Sequence, residues 1–158
     1  MIEDAGQQAT LAASLGQWLR QVLAPGAALV ADSRAVRPGD GFVAWPGATH
    51  DGRDYVEQAI ARGAAAVLYE AGRDASTGEA PSRAVPGLRA LAGPVAAEYY
   101  GRPSERLEVV AVTGTNGKTS CTQWIARGLA ALGRRAAVIG TLGSGVVPAD
   151  DSTAELDA

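Results

Sequence analysis

The 158-residue chain contains one cysteine, Cys121, and no apolar run that approaches the length of a membrane span. A single cysteine excludes an internal disulfide bond and any metal site built from several thiolates, as is usual in a reducing compartment. A helix that crosses a bilayer needs roughly 20 consecutive apolar residues. The start, MIEDAGQQAT, also lacks the basic and apolar regions of a signal peptide. These absences lead us to expect a soluble, cytoplasmic protein that does not contact a membrane.

Lysine is almost absent: of the 14 basic residues, 13 are arginine and only Lys118 is lysine. The net charge of −3 is made of mixed signs, with no basic stripe interleaved with aromatic residues. Nucleic acid is therefore not an expected partner. The fraction of hydrophobic residues, 47%, and of charged residues, 20%, is typical of a globular protein.

The first part of the chain shows alternating helical and strand patterns. Residues 14–24, SLGQWLRQVLA, place apolar side chains at helical spacing and end at Pro25-Gly26. ALVADSRAVRPGDGFVAWPG predicts a strand, a turn at residues 38–41 and a second strand at 42–45. DGRDYVEQAIARGAAAVLYE predicts a helix and then a strand at 65–69. We expect a small α/β domain over residues 1–104.

Residues 71–87 are rich in glycine, serine, proline and charge, and are predicted to form a surface loop. LRALAGPVAAEYY follows with helical character. Pro94 lies well inside that segment, which predicts a kink or a helix that begins only at this proline.

The second part, residues 105–158, predicts a βαβ unit. LEVVAV is a nearly continuous apolar run, as expected of a strand buried in a parallel sheet, and RRAAVIGTLG predicts a second such strand. Between them, KTSCTQWIARGLAALG predicts a helix whose buried face carries Cys121 and Trp124, while Trp18 is expected in the core of the first part. Cys121 is thus expected to be a small buried thiol rather than a nucleophile.

The loop of that unit, AVTGTNGKTS, has the ending of the phosphate-binding pattern G-x-x-x-x-G-K-[ST], but Val112 stands where its first glycine belongs. Gly114 and Gly117 let the backbone approach a phosphate chain closely, and the following helix start adds free amides. Lys118 can reach the β- and γ-phosphates, and the Thr119 hydroxyl is placed to ligate Mg²⁺. The alternative is a tight turn with an exposed lysine.

TGTNGKT resembles the shortened phosphate-binding loop of the Mur ligases, the ATP-dependent enzymes that add amino acids to the peptidoglycan precursor, and of the related folylpolyglutamate synthetases. ADSRAVRPGDGFVAWPG, followed by DGRDYVEQAIARGAAAVLYE, is similar to the amino-terminal domain of the third and fourth ligases, which folylpolyglutamate synthetases lack. PSERLEVVAVTGTNGKT and IGTLGSG are more similar to the third ligase, because the fourth tends to carry T-G-S-[SN]-G-K-T.

The resemblance implies specific site residues. ATP would bind at Gly114, Thr115, Asn116, Gly117, Lys118, Thr119 and Ser120, with Lys118 in the catalytic role and Mg²⁺ held by Thr119. The uridine diphosphate part of the substrate would lie against Ala31, Ser33, Arg34, Gly47, Ala48, Thr49 and His50. The fold implied is α/β: a small substrate-binding domain, then the first βαβ unit of a parallel-sheet ATP-binding domain.

The resemblance also implies a reaction. ATP would phosphorylate a carboxylate of UDP-N-acetylmuramoyl-L-alanyl-D-glutamate, and the amine of a diamino acid would attack the acyl phosphate. The preference for arginine over lysine suggests a GC-rich genome, which favours diaminopimelate as that amino acid. Family members have further catalytic elements, so we expect an amino-terminal fragment of a monomeric enzyme, without ligase activity alone. Other hypotheses are a stand-alone uridine-nucleotide-binding module, a different P-loop ATPase and the fourth ligase.

Overall fold

The computed structural model of the chain describes residues 2–148. The residues form two compact units, Met1–Leu107 and Glu108–Ala158, which are considered one at a time below. The expected division of the chain into a substrate domain up to residue 104 and an ATP domain after it stays a prediction. Among the described residues, no helix combines the length and the apolar character that a membrane crossing requires.

A four-stranded parallel sheet forms the centre of the first unit, in the order β1-β2-β3-β4. Its strands are β1 (Leu29–Val30), β2 (Gly41–Ala44), β3 (Ala66–Glu70) and β4 (Ser82–Val85). In the register, Phe42 lies beside Val67, and Leu68 lies beside Arg83. β2 and the first half of β3 are apolar and buried on both faces, as central parallel strands are. The strands predicted near residues 42–45 and 65–69 are confirmed.

Helices cover both faces of this sheet and create two apolar clusters. The helices are α1 (Ile2–Val22), α2 (Val56–Ala61), which a 3-10 turn at Gly52–Tyr55 precedes, and α3 (Leu88–Tyr99). On one face, α1 and α3 bury Leu15, Leu19 and Leu88 against Val43 and Leu68. On the other face the buried cluster contains Val36, Phe42, Val56, Ala59 and Val67. Trp18 packs against the first cluster, half-buried, as expected.

The helix predicted within residues 14–24 is confirmed as part of α1. The helix begins earlier, at Ile2, because a helix that already has a buried half can extend into solvent without apolar residues at core spacing. Another prediction about the first unit is wrong. The predicted loop at 71–87 contains β4, an edge strand whose middle residues are exposed. An edge strand needs little apolar sequence, so its composition resembled that of a loop.

α3 begins at Leu88 and continues through Pro94, so its predicted later start is also wrong. Leu88 and Leu91 before the proline and Val95 after it are all buried in the first cluster. A proline inside a helix costs about 3 kcal/mol or more. The burial of three large apolar side chains, each worth about 1.5–3 kcal/mol, offsets that cost.

The second unit consists of one helix and a hairpin: α4 (Lys118–Ala131), β5 (Ala136–Gly140) and β6 (Gly143–Val147). β5 and β6 pair antiparallel, with Val138 beside Gly145. The predicted helix is confirmed, and Gly133 follows its end with a φ of 75°, a left-handed conformation that favours glycine.

The described residues of the second unit do not form the predicted βαβ unit. LEVVAV is not a strand: Leu107, Val109 and Val110 are 61–77% exposed. A strand needs a paired neighbour, and the part of the chain that the structure describes offers LEVVAV none. β5 pairs antiparallel with β6, and its Ile139 is 88% exposed.

The buried face of α4 also differs from the prediction. Its buried residues are Ala126 and Ala130, which pack against Val138 and Val147 of the hairpin. Cys121 and Trp124 are exposed, the latter by 70%. Small alanines let the hairpin approach the helix closely, and the two short strands cover only that narrow stripe.

Candidate functional site

A cleft of about 630 Å³ lies at the carboxyl ends of β1 and β2 in the first unit. These two ends meet because the strands are parallel neighbours, and this edge of an α/β sheet is where ligands bind. The lining residues come from the segments after β1 and β2, from β2 itself and from the turn and helix that follow. They are Ala31, Asp32, Ser33, Arg34, Phe42, Val43, Trp45, Gly47, His50, Gly52, Tyr55 and Gln58.

Ser33 is the most buried polar group of this lining, with 6% of its surface exposed. Its hydroxyl donates a hydrogen bond of 2.6 Å to Oε1 of Gln58 on α2. The bond joins the segment after β1 to the helix that closes the other side of the cleft.

Arg34 and Asp32 form an exposed ion pair at the cleft. The Arg34 guanidinium donates to both Asp32 carboxylate oxygens at 2.8–3.2 Å, and the Arg34 backbone N–H donates to Oδ1 at 2.9 Å. Hydrogen bonds from Arg34 lower the pKa of Asp32 to about 2. The Arg34 side chain is 80% exposed, so its remaining N–H groups can reach an anionic ligand.

The loop after β2 is tight. The Gly47 N–H donates to the His50 carbonyl at 2.8 Å, and the Gly52 N–H donates to the Trp45 carbonyl at 3.0 Å. A Cβ at Gly52 would lie 2.8 Å from that carbonyl oxygen, so only glycine fits. The His50 ring stands edge-on to the Tyr55 ring, with centroids 6.5 Å apart.

The second unit carries the glycine loop. Gly114 has a φ of 147° and Gly117 a φ of 76°, and α4 begins at Lys118 directly afterwards. Lys118 Nζ donates to the carbonyls of Gly114 at 2.6 Å and Thr115 at 3.2 Å, so the ammonium lies against the loop. No side chain caps the start of α4. The first amides of α4 are therefore available to an anion, and the Lys118 ammonium lies beside them.

This donor set fits a phosphate chain, because both loop glycines adopt conformations that other residues rarely take and the helix start is uncapped. Thr119 lies in the first turn of α4 beside Lys118. Within residues 2–148 no three histidine, cysteine, aspartate or glutamate side chains are grouped to hold a metal ion.

Two family models match the chain in the order of its two units. "Mur ligase family, catalytic domain" matches residues 27–99, and "Mur ligase middle domain" matches residues 112–156. The chain belongs to the Mur ligase family.

Curated relatives of this Mur ligase chain share one name. The UDP-N-acetylmuramoyl-L-alanyl-D-glutamate--2,6-diaminopimelate ligase of Nitrosomonas europaea is 52% identical over 74% of this chain and 23% of that protein. The ligase of the same name from Ralstonia nicotianae is 46% identical over 90% of this chain and 30% of that protein. Six further relatives of that name are 47–51% identical. The chain spans about a quarter of the length of these relatives.

A solved structure agrees with the family assignment. The MurF ligase of Thermotoga maritima in complex with ADP is 32% identical, with a TM-score of 0.52 over 69% of this chain and 24% of that protein. The expected α/β class is confirmed by the four-stranded parallel sheet and by the two family models.

The predicted residues of the uridine site are mostly brought together. Ala31, Ser33, Arg34, Gly47 and His50 all line the cleft. Ala48 and Thr49 belong to the same exposed loop but are outside the lining. That any of these residues binds the substrate stays a prediction.

The sequence analysis missed seven lining residues: Asp32, Phe42, Val43, Trp45, Gly52, Tyr55 and Gln58. Tyr55 belongs to the DGRDY element used for the family resemblance, so it could have been included. Gln58 follows it by three residues, which places both on one side of the same short helical segment.

Proposed function

We propose that this chain provides the uridine-nucleotide cleft and the ATP loop of a ligase that joins 2,6-diaminopimelate to UDP-N-acetylmuramoyl-L-alanyl-D-glutamate. The supporting observation is that eight relatives, 46–52% identical, carry this one name. An alignment that covers 90% of the chain, as with the Ralstonia relative, necessarily includes both the cleft and the loop. Since the chain spans about a quarter of those proteins, the roles proposed for it are binding roles.

In the cleft, the proposal assigns the uridine diphosphate part to the lining described above. Trp45 and Tyr55 provide aromatic surface for a base. The guanidinium of Arg34 and the tight loop from Gly47 to His50 provide N–H donors for a diphosphate. His50 is assigned through its backbone more than through its ring.

At the glycine loop the proposal places the phosphates of ATP, in keeping with the ADP complex of the Thermotoga relative. Lys118 would release its bonds to Gly114 and Thr115 and bind the phosphates, and the first amides of α4 would bind them too. Thr119 would hold Mg²⁺. ATP supplies the phosphoryl group that activates the substrate carboxylate, and the loop contributes positioning and charge stabilisation. We assign the reaction to the cytoplasm, where ATP is available.

Isothermal calorimetry tests both halves of the proposal on the 158-residue chain. UDP-N-acetylmuramoyl-L-alanyl-D-glutamate should bind, and Ser33→Ala should weaken that binding. Mg-ATP should bind separately, and Lys118→Ala should weaken it by about tenfold to a hundredfold, because a hydrogen bond to a charged group contributes about 1.5–3 kcal/mol. Arg127→Ala, on an exposed position of α4, is the matched control and should change neither affinity.

The outcomes separate the candidate functions. Binding of the uridine ligand without Mg-ATP would favour a uridine-nucleotide-binding module. Binding of Mg-ATP alone would contradict the substrate assignment and favour a different P-loop ATPase. Solved structures do not separate the third-step from the fourth-step ligase, because a 2,6-diaminopimelate ligase is 33% identical and a MurF ligase 32% identical. The third step is favoured because all eight curated relatives named above are 2,6-diaminopimelate ligases.

A further inference from the structure

Arg53 is a nearly buried arginine in the 3-10 turn that precedes α2. Its side chain is 12% exposed, whereas the other arginines that form ion pairs in the described residues are 50–80% exposed. Arginine is seldom buried without a specific partner. The contacts of Arg53 therefore indicate what this side chain does.

The guanidinium of Arg53 donates hydrogen bonds in two directions. Within its own turn, Nε donates to Oδ1 of Asp51 at 3.0 Å and Nη2 donates to Oδ2 at 2.7 Å, which makes a bidentate pair. On the other side, Nη1 donates to the backbone carbonyls of Glu70 at 3.3 Å and Ala71 at 3.4 Å. Glu70 is the last residue of β3, so one side chain joins this turn to the end of that strand.

The loop that follows β2 is closed at its base directly before Arg53. There the Gly52 N–H donates to the Trp45 carbonyl at 3.0 Å. The tip of the loop, residues 47–50, is exposed and contributes two residues to the lining of the cleft. Because an exposed tip has little packing of its own, its position depends on how the base of the loop is held.

A guanidinium suits this place better than an ammonium does. Its planar fork pairs with both oxygens of Asp51 while its remaining N–H groups reach the end of β3. Lysine carries its charge on one atom, so it cannot make both sets of contacts at once. A loop that is not held in place must be ordered when a ligand binds, and this ordering lowers affinity.

We propose that Arg53 is a positioning residue, which holds the loop after β2 against the end of β3 in the conformation that the cleft ligand requires. This inference rests on the proposed function, in which that ligand is a uridine nucleotide. It adds that the guanidinium of Arg53 acts through the loop, without being assigned a contact with the ligand.

Calorimetry with UDP on the 158-residue chain tests the inference. Arg53→Ala should weaken UDP binding by about tenfold or more, and Arg53→Lys by about threefold to tenfold, although it keeps the charge. Guanidinium chloride at low millimolar concentration should restore the affinity of Arg53→Ala, because the ion can enter the emptied site beside Asp51. Sodium chloride at the same concentration should not.

A ligand-free measurement accompanies the calorimetry. Amide hydrogen exchange of the peptide that covers residues 46–55 should become faster in Arg53→Ala and Arg53→Lys than in the unaltered chain. Unchanged exchange of this peptide in both variants would overturn the inference alone.

Two control variants separate positioning from general stability. Arg73→Ala removes a half-exposed arginine that also pairs with Asp51, at 3.9 Å, and should leave the UDP affinity unchanged. Gly16→Ala should lower the thermal midpoint through the contact of α1 with Glu98, outside the cleft, and should also leave the affinity unchanged.

The remaining outcomes decide between the inference and the proposed function. Full UDP affinity in Arg53→Lys would show that charge alone suffices, and would overturn the inference. Equal weakening by Gly16→Ala would assign the effect to stability, and would overturn it as well. Absence of UDP binding to the unaltered chain would instead overturn the proposed function, and with it the role of Arg53 in ligand binding.

Discussion

Single polar side chains hold the strand ends that frame the cleft. Asp40, 8% exposed, accepts from the backbone N–H of Ala28 at 3.0 Å and of Arg37 at 2.9 Å. Tyr99 donates to the Ala27 carbonyl at 2.9 Å. Because a buried carboxylate needs a partner for each oxygen, these contacts determine where β1 begins and how the turn before β2 is placed.

Asp51 likewise holds the backbone of the 3-10 turn that leads into α2. It accepts from the Arg53 backbone N–H at 3.0 Å and pairs with the Arg53 guanidinium at 2.7 Å, and these hydrogen bonds lower its pKa to about 2. An unfolded aspartate has a pKa of about 3.9. A lowered folded-state pKa stabilises the fold above about pH 4, and this contribution is lost as the pH falls toward 2.

Asp51→Asn should therefore lower the free energy of unfolding at pH 7, and its difference from the unaltered chain should shrink between pH 4 and pH 2. Urea unfolding followed by circular dichroism at several pH values measures this difference. Asp74→Asn, an exposed aspartate outside the ion pairs of the described residues, is the matched control. A difference that stays constant down to pH 2 would show that the charge of Asp51 is not the cause.

At the scale of elements, the packing of α1 on α3 depends on one close contact. A Cβ built at Gly16 would lie 2.5 Å from Cβ of Glu98, so the helices touch where a side chain is absent. Gly6, in the same helix, has nothing within 4 Å. Both glycines lie in α1, but Gly16 faces Glu98 of α3, whereas Gly6 faces open space.

Gly16→Ala should destabilise the first unit by about 1–3 kcal/mol, because the gain of up to about 1 kcal/mol in helix propensity is smaller than the cost of forcing α1 and α3 apart. Gly6→Ala should be neutral or stabilising, by up to about 1 kcal/mol. Thermal unfolding of the two variants and of the unaltered chain compares them. If both substitutions raise the midpoint, the close approach of α1 and α3 is not a constraint.

On the scale of the whole molecule, the two units differ in how much core each one has. The first unit has clusters on both faces of a four-stranded sheet. In the second unit, the described cluster has four small buried residues, Ala126, Ala130, Val138 and Val147, on a two-stranded sheet. An isolated two-stranded hairpin is only marginally stable in water.

Amide hydrogen exchange should therefore be slow in β2 and β3 and much faster in β5 and β6 of the same chain. Exchange measured by mass spectrometry on proteolytic peptides, corrected for intrinsic rates, makes this comparison within one sample. Protection of β5 and β6 equal to that of β2 and β3 would contradict the prediction and would mean that the hairpin is stabilised by more than its own cluster.

The sequence alone determined the elements whose signals are local. β2, β3 and α4 are predicted because an apolar run or a glycine-bounded helical pattern is complete within a few residues. TGTNGKT indicates a phosphate-binding loop because close approach to phosphate requires particular residues in order. ADSRAVRPGDGFVAWPG adds the second motif on which the family resemblance rests. The tertiary structure decided the rest. β4, the exposure of LEVVAV and the pairing of β5 depend on which strands lie alongside, and the Ser33–Gln58 bond depends on packing α2 against the end of β1. A strand pairing and a contact between distant residues are formed by partners that no local pattern contains.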